Sequence, residues 1–159
     1  AEEQTAAWEV QKARERAAKG TEGEASVLDG VALALPSMVR AEKLQKRAAR
    51  AGFDWPEVSG VMAKIEEELE EVSDEIAGED PEALAAEVGD LLFACVNLAR
   101  HVGVDPETAL RGTNAKFQRR FRYVEQQLRE RGMSLEESDL DQMDRLWGEA
   151  KRREKSGRD

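Results

Sequence analysis

The sequence contains a single cysteine, Cys95, and a single histidine, His101. No disulfide can form within the chain, and a zinc finger is excluded. There is no apolar run of about 18 residues and no signal peptide, so we predict a cytoplasmic protein without a membrane span. Walker-type and Gly-x-Gly-x-x-Gly phosphate loops are also missing, as is a plausible Ser–His or Cys–His pair for covalent catalysis.

Positive charge is in short supply as well. Aspartate and glutamate outnumber lysine and arginine by 34 to 24, which gives a net charge of −10. This balance argues against a general binder of nucleic-acid polymers or anionic membranes, although a local basic patch can still hold a small anion. The 159 residues, 36% charged and 40% apolar, fit one soluble domain with a core.

The hydrophobic periodicity is helical, and no strand pattern occurs. We predict helices at about 5–19, 37–50, 56–77, 81–101 and 105–131, with more helix after a Ser134/Glu137 capping box. Two helices begin at an aspartate–proline pair, Asp80-Pro81 and Asp105-Pro106, in which aspartate caps and proline takes the first helical position. Asp54 is expected to help cap the helix at 56–77. These patterns predict an all-α, antiparallel helical bundle.

The helix at 81–101 is apolar on most of its sides. Beside the stripe that contains Val88 and Leu91, it carries Leu92, Phe93 and Val96. A helix that is apolar nearly all round is buried nearly all round, and a small bundle cannot cover it alone. We therefore predict a homodimer whose interface includes residues 88–99.

Two pairs of acidic residues flank apolar stripes on consecutive helices. They are Glu68-x-x-Glu71 and Glu87-x-x-Asp90, and each pair lies on one side of its helix. Both pairs have the same offset from their stripe, so antiparallel packing brings the four carboxylates to one groove. Oxygen ligands select Mg²⁺, with Mn²⁺ as a substitute. A di-iron site would need Glu-x-x-His motifs, which are absent because His101 follows a leucine at position 98.

A metal held by carboxylates suggests phosphate chemistry, which needs further positive donors. One short basic stretch supplies them: Asn114, Lys116, Arg119, Arg120 and Arg122. The alternative interpretation of this stretch is ion pairing between residues four apart on a helix surface. The sequence pattern alone does not separate the two.

Three ordered motifs closely resemble the MazG nucleoside triphosphate pyrophosphohydrolases of the all-α NTP pyrophosphatase superfamily. They are KIEEELEEV at 64–72, EVGDLLF at 87–93 and NAKFQRRF at 114–121, with further similarity at 35–36, 40–48, 52–55 and 143–147. The chain looks most like the C-terminal domain of the tandem-domain form. The N-terminal helix and linker would then be residues 1–34, the domain 35–155 and a polar tail 156–159. The start at Ala1 rather than Met fits an excised or processed piece.

The resemblance implies a tight homodimer that hydrolyses NTP or dNTP to the monophosphate and pyrophosphate, with a house-cleaning role in the nucleotide pool. It implies Mg²⁺ ligands at Glu68, Glu71, Glu87 and Asp90, and phosphate binding by Lys116 and Arg120. In the mechanism we expect, water activated by the metal attacks the α-phosphorus, with Glu68 as the general base. Asn97, Asn114 and Trp55 are further candidates for substrate binding, and Trp147 is expected mainly to pack in the core.

Two other functions stay open at this level. One is a non-catalytic helical dimerisation or regulatory domain of a larger MazG protein. The other is a different Mg²⁺-dependent phosphohydrolase, which would release orthophosphate.

Overall fold

The computed structural model describes residues 26–78 and 80–157. Over these ranges the chain forms α-helices and no β-strand, which confirms the all-α prediction. The helices are α1 (Ser37–Arg50), α2 (Val58–Ala77), α3 (Pro81–His101), α4 (Pro106–Glu130) and α5 (Leu140–Ser156). The chain divides into two compact units, one ending at Val104 and the other starting at Asp105. The helix predicted at 5–19 lies outside the described residues.

Proline and aspartate set where α3 and α4 begin. The Asp80 carboxylate accepts hydrogen bonds from two backbone N–H groups of the first turn of α3, and Pro81 is the first helical residue. Asp105 accepts one such bond ahead of Pro106 in α4. Both starts agree with the prediction because each aspartate satisfies N–H groups that have no partner within the helix.

The start of α2 differs from the prediction. This helix begins at Val58, two residues late, and no side chain caps it. The Asp54 carboxylate, which we expected to help cap it, instead accepts hydrogen bonds from both terminal nitrogens of Arg100 at the end of α3. The cap prediction is wrong because a guanidinium offers two charge-assisted bonds, which are stronger than neutral ones.

The first unit is organised around α3, which packs against both α2 and α1. The buried residues of α2 are Val61 and Glu68, and those of α3 are Ala94 and Val96. Val61 and Glu68 are seven residues apart and therefore share one face of α2. Glu68, which the sequence pattern places beside the apolar stripe, thus belongs to the buried face itself.

Much of the predicted apolar stripe of α2 is open. Met62, Leu69 and Ile76 expose 44%, 51% and 67% of their surface in the single chain. On α3, Leu92 and Phe93 expose 58% and 44%. Many apolar residues of α2 and α3 are therefore not buried within the single chain. These exposed apolar side chains are available to contact another molecule.

The second unit consists of α4 and α5, which pack against each other. Its core is formed by Val124, Leu128 and Leu146, with Trp147 partly buried against them. The core role expected for Trp147 is thus confirmed. The predicted hydrogen bonds between Ser134 and Glu137 form, but they lie in a turn and not at the start of a helix. The next helix, α5, starts after a second capping box formed by Asp139 and Gln142. No helix in the described parts of the chain is long and apolar enough to cross a membrane.

Candidate active site

Three carboxylates meet where α2 and α3 pack together. Glu68 and Glu71 on α2 and Glu87 on α3 each offer one oxygen, and these oxygens all lie within 4.8 Å of one another. The spacing of three residues puts Glu68 and Glu71 on one side of α2, as the sequence predicts. The short connection after Ala77 returns the chain so that α3 supplies the third carboxylate.

Glu68 is the most constrained member of this cluster. Only 4% of its surface is exposed. One carboxylate oxygen, Oε1, lies 2.7 Å from the Lys64 ammonium nitrogen, while the other, Oε2, is buried without a hydrogen-bond partner. A buried oxygen with negative charge and no partner is costly, and a bound cation would remove that cost.

The electrostatics of the cluster also favour a cation. Removal from water raises the pKa of Glu71; the positive charge of Lys64 opposes this shift, and the negative charges of Glu68 and Glu87 add to it. Hydrogen bonds to Glu68, and then to Glu67, raise the pKa of Lys64, so this side chain stays protonated. The carboxylate ligands and the unpartnered buried oxygen together fit a hard divalent ion such as Mg²⁺ or Mn²⁺.

Asp90 stands apart from this group. It lies one turn after Glu87 on α3, but the cluster of three carboxylates found in the described ranges does not include it. Asp90 is exposed and lines a cavity together with Glu68. The structure therefore brings three of the four predicted metal ligands together and places the fourth beside the cavity.

The cavity lies in the first unit and has a volume of about 650 Å³. This is within the range of about 300–1,000 Å³ typical of sites for small molecules. Its wall combines apolar and aromatic side chains with a few polar groups. Four predicted site residues line it: Trp55, Glu68, Asp90 and Asn97.

A polar network connects the loop before α2 to the end of α3. Arg100 Nη1 and Nη2 donate to the Asp54 carboxylate over 2.9 and 2.5 Å, and His101 Nε2 lies 3.0 Å from the same carboxylate. The Arg100 hydrogen bonds hold the pKa of Asp54 at about 2, against the cost of burial. The backbone N–H of Trp55 also donates to Asp54. The network therefore anchors the loop that carries Trp55 at the cavity.

We predict that Asp54→Asn lowers the free energy of unfolding by about 1 kcal/mol at pH 7, since the pair is partly exposed and solvent weakens it. The folded pKa of Asp54, about 2, lies below the ordinary value of 3.8. The contribution is therefore complete above about pH 4 and is lost as the pH falls towards 2. Urea unfolding at pH 7 and pH 3 measures this. The exposed Asp144→Asn is the control, and equal stability of both variants at pH 7 would contradict the prediction.

The predicted phosphate-binding residues lie on α4 in the second unit. Arg120 Nε and Nη2 lie 2.9 and 2.8 Å from Oε2 of Glu154, and Arg119 Nε donates to Oε1 over 2.7 Å. The hydrogen bond from Arg120, and after it the one from Arg119, lowers the pKa of Glu154. Lys116 is partly buried and forms no ion pair within the described ranges, and Asn114 is exposed. The two arginines thus pair with a carboxylate of α5 and not with a residue four positions away on α4, so these bonds do not support the interpretation as ion pairing along the helix.

Three polar residues at the cavity were missed from the sequence: Gln45, Lys64 and Arg100. Arg100 had no detectable signal, since its partner Asp54 is 46 positions away. Lys64 had a detectable signal, since it precedes Glu68 by four residues, a spacing at which helical side chains meet. Gln45 had none, because its contact with the backbone of Phe93 joins residues that are 48 positions apart.

The part of the chain that carries these site residues is similar to a known protein family. Residues 57–124 match the family described as the MazG nucleotide pyrophosphohydrolase domain. The matched range includes the three clustered carboxylates and the basic stretch of α4.

Curated relatives extend the similarity over most of the chain. It is 46% identical over 151 residues to the nucleoside triphosphate pyrophosphohydrolase of Escherichia coli (strain K12), covering 94% of this chain and 56% of that protein. It is 40% identical over 144 residues to the nucleoside triphosphate pyrophosphohydrolase/pyrophosphatase MazG of Thermotoga maritima, covering 91% and 54%. The Bacillus subtilis protein YabN is 47% identical over 141 residues, covering 88% and 29%. The chain thus spans about half the length of the first two.

Proposed function

Because the chain carries a MazG nucleotide pyrophosphohydrolase domain, we propose that it hydrolyses nucleoside triphosphates, NTP or dNTP, to the monophosphate and pyrophosphate. The observation that carries this proposal is the group formed by Glu68, Glu71 and Glu87, whose oxygens lie within 4.8 Å of one another. The unpartnered Oε2 of Glu68 adds to it. The two MazG-like relatives are named for this activity. The cellular role we propose is the removal of non-canonical nucleotides from the nucleotide pool.

The residues proposed to hold the metal are Glu68, Glu71 and Glu87, together with Asp90. Mg²⁺ is the expected ion and Mn²⁺ a substitute, because every donor is a carboxylate oxygen. When bound, such an ion supplies positive charge against the phosphates and acidifies water. Lys64 keeps Oε1 of Glu68 oriented through its 2.7 Å contact.

In the reaction, a water oxygen forms a bond to the α-phosphorus and the bond to the oxygen that bridges the α- and β-phosphorus breaks. Pyrophosphate leaves with that oxygen. Glu68 is the proposed general base as well as a proposed metal ligand, because it is the buried carboxylate of the cluster and Lys64 holds its Oε1 at 2.7 Å. Lys116 and Arg120 are proposed to bind the phosphates and to stabilise charge on the leaving pyrophosphate, and Asn114 to contribute a hydrogen bond.

Product identification tests this function. The purified chain is incubated with the eight common NTPs and dNTPs, with Mg²⁺ and with EDTA, and the released phosphate species are separated. Pyrophosphate together with monophosphate, formed only with the metal, is the expected result. Release of orthophosphate would point to the other class of phosphohydrolase. Absence of turnover with all eight nucleotides would favour a non-catalytic domain.

A role in assembly has independent support from the open apolar surface. Val88, Leu92 and Phe93 on α3 expose 39%, 58% and 44% of their surface. Val88 and Leu92 are one turn apart and so share a side of the helix. We propose that a second copy of the chain covers this surface, in keeping with the resemblance. A non-catalytic domain that serves only dimerisation or regulation is the alternative function. Dimerisation as such is compatible with catalysis.

The expected result in sedimentation velocity is a dimer for the native sequence and a monomer for Leu92→Lys, because a charge in an apolar interface is left without a partner. Leu140→Lys is the matched control, since Leu140 exposes 76% of its surface on α5. A monomeric native chain, or a Leu92→Lys variant that still forms the native dimer, would contradict the assignment of this interface.

A further inference from the structure

A groove on the second unit is lined by arginines from both of its helices. The groove has a volume of about 620 Å³, and its wall contains Arg119 and Arg122 of α4, Arg153 of α5 and the ring of Tyr123. None of the described residues that line it is acidic. The whole chain carries a net charge of −10. The groove is therefore a local region of positive charge on an acidic protein.

The side chains of the groove are placed by helix geometry and by an aromatic contact. Arg119, Arg122 and Gln126 recur at spacings of three and four, so they share one side of α4. The guanidinium carbon of Arg153 lies 5.2 Å from the centre of the Tyr123 ring. The Tyr123 hydroxyl donates to the Glu149 carboxylate over 3.3 Å, which ties the ring to α5. Because a guanidinium over a ring keeps its N–H edge free, Arg153 is oriented to donate to a further acceptor.

The positive charge of the groove is mostly unpaired. Arg119 binds Glu154 over 2.7 Å, but Arg122 and Arg153 pair with no carboxylate among the described residues. Like charges that share a groove repel one another, and an anion between them removes that repulsion. A guanidinium presents a planar fork of donors that matches two phosphate oxygens at once. The unpaired arginines therefore favour a phosphate ligand.

We propose that this groove binds a small oligophosphate anion, inorganic pyrophosphate being the simplest, through Arg122 and Arg153. Two adjacent phosphate groups match guanidinium groups contributed by two helices better than a single phosphate does. A long polyanion is disfavoured because the acidic remainder of the chain repels it. The site is separate from the proposed substrate phosphates, since neither Lys116 nor Arg120 lines the groove. It also does not depend on the proposed reaction.

Calorimetry with sodium pyrophosphate tests the proposal, in EDTA so that no divalent ion takes part. The native chain should bind pyrophosphate at least about tenfold more tightly than orthophosphate. The double variant Arg122→Gln with Arg153→Gln should lower the affinity for pyrophosphate by at least about tenfold, as expected when charge-assisted hydrogen bonds are lost. Arg129→Gln with Arg145→Gln is the control with the same net charge, because both arginines are exposed and lie outside the groove. This control should keep the native affinity, as should Lys116→Ala.

Several outcomes would overturn the proposal. Equal affinity of the native chain for orthophosphate and pyrophosphate does so, and so does a loss of binding in Lys116→Ala alone, which would assign the anion to the substrate site. If circular dichroism shows that the double variant is unfolded, Arg122→Gln decides by itself, and native affinity in that variant rejects the site. A single-stranded oligonucleotide that binds more tightly than pyrophosphate would reject a small anion as the ligand. All of these measurements are made without turnover, so failure of the proposed function leaves them unaffected.

Discussion

Glu71→Gln should lower Mg²⁺-dependent pyrophosphate release by at least about 100-fold, since even groups that only support a metal ligand cost about 10- to 100-fold. Glu71 is one of the three carboxylates whose oxygens lie within 4.8 Å of one another. The amide keeps the shape of the side chain and removes its charge, so the ion loses one of its ligands. Glu71 is exposed, and the helical fold should therefore survive the change.

Glu70→Gln is the matched control, because Glu70 is also exposed, lies on the same helix and is not part of the cluster. It should retain native turnover and native Mn²⁺ affinity, measured by electron paramagnetic resonance. Glu71→Gln should lose both while its circular dichroism stays helical. Native turnover in Glu71→Gln would reject the metal site. If turnover and Mn²⁺ affinity are lost in Glu71→Gln but kept in Asp90→Asn, the metal ligands are the three clustered carboxylates and not Asp90.

Local chemistry explains the features of the fold that could be predicted. The starts of α3 and α4 follow from Asp80-Pro81 and Asp105-Pro106, because capping and a fixed proline φ act within one turn of the chain. The spacing of Glu68 and Glu71 on one side of α2 is likewise local. These features need no knowledge of what packs against the helix.

Contacts between distant residues could not be predicted from the pattern. Asp54 was expected to cap α2 but binds Arg100, 46 residues away, and Gln45 binds the carbonyl of Phe93, 48 residues away. The burial of Glu68 is of the same kind: the helical wheel places it beside the apolar stripe, while packing in the first unit leaves it 4% exposed. Its unpartnered oxygen, the strongest support for a cation, is thus visible only in the folded chain.

Arg120→Ala should lower kcat/KM for the triphosphate by about 10²- to 10³-fold, the cost of removing one donor that stabilises charge in the transition state. In the structure its guanidinium is held by Glu154 at 2.9 and 2.8 Å, and only 18% of its side chain is exposed. Arg119→Ala is the matched control, because Arg119 binds the same carboxylate over 2.7 Å but exposes 57% of its side chain. It should change kcat/KM only a few-fold.

Glu154→Gln separates phosphate binding from a structural ion pair. If Arg120 serves the substrate, Glu154 competes with phosphate for the guanidinium, since both present oxygens to the same fork of donors. Glu154→Gln should then keep kcat/KM at the native level or raise it, even though the ion pair is gone. If Arg120 serves only to hold α5 through Glu154, this variant should lose as much activity and stability as Arg120→Ala. Kinetics and urea unfolding of Glu154→Gln and Arg120→Ala, measured under the same conditions, therefore decide whether Arg120 binds the phosphates or only Glu154.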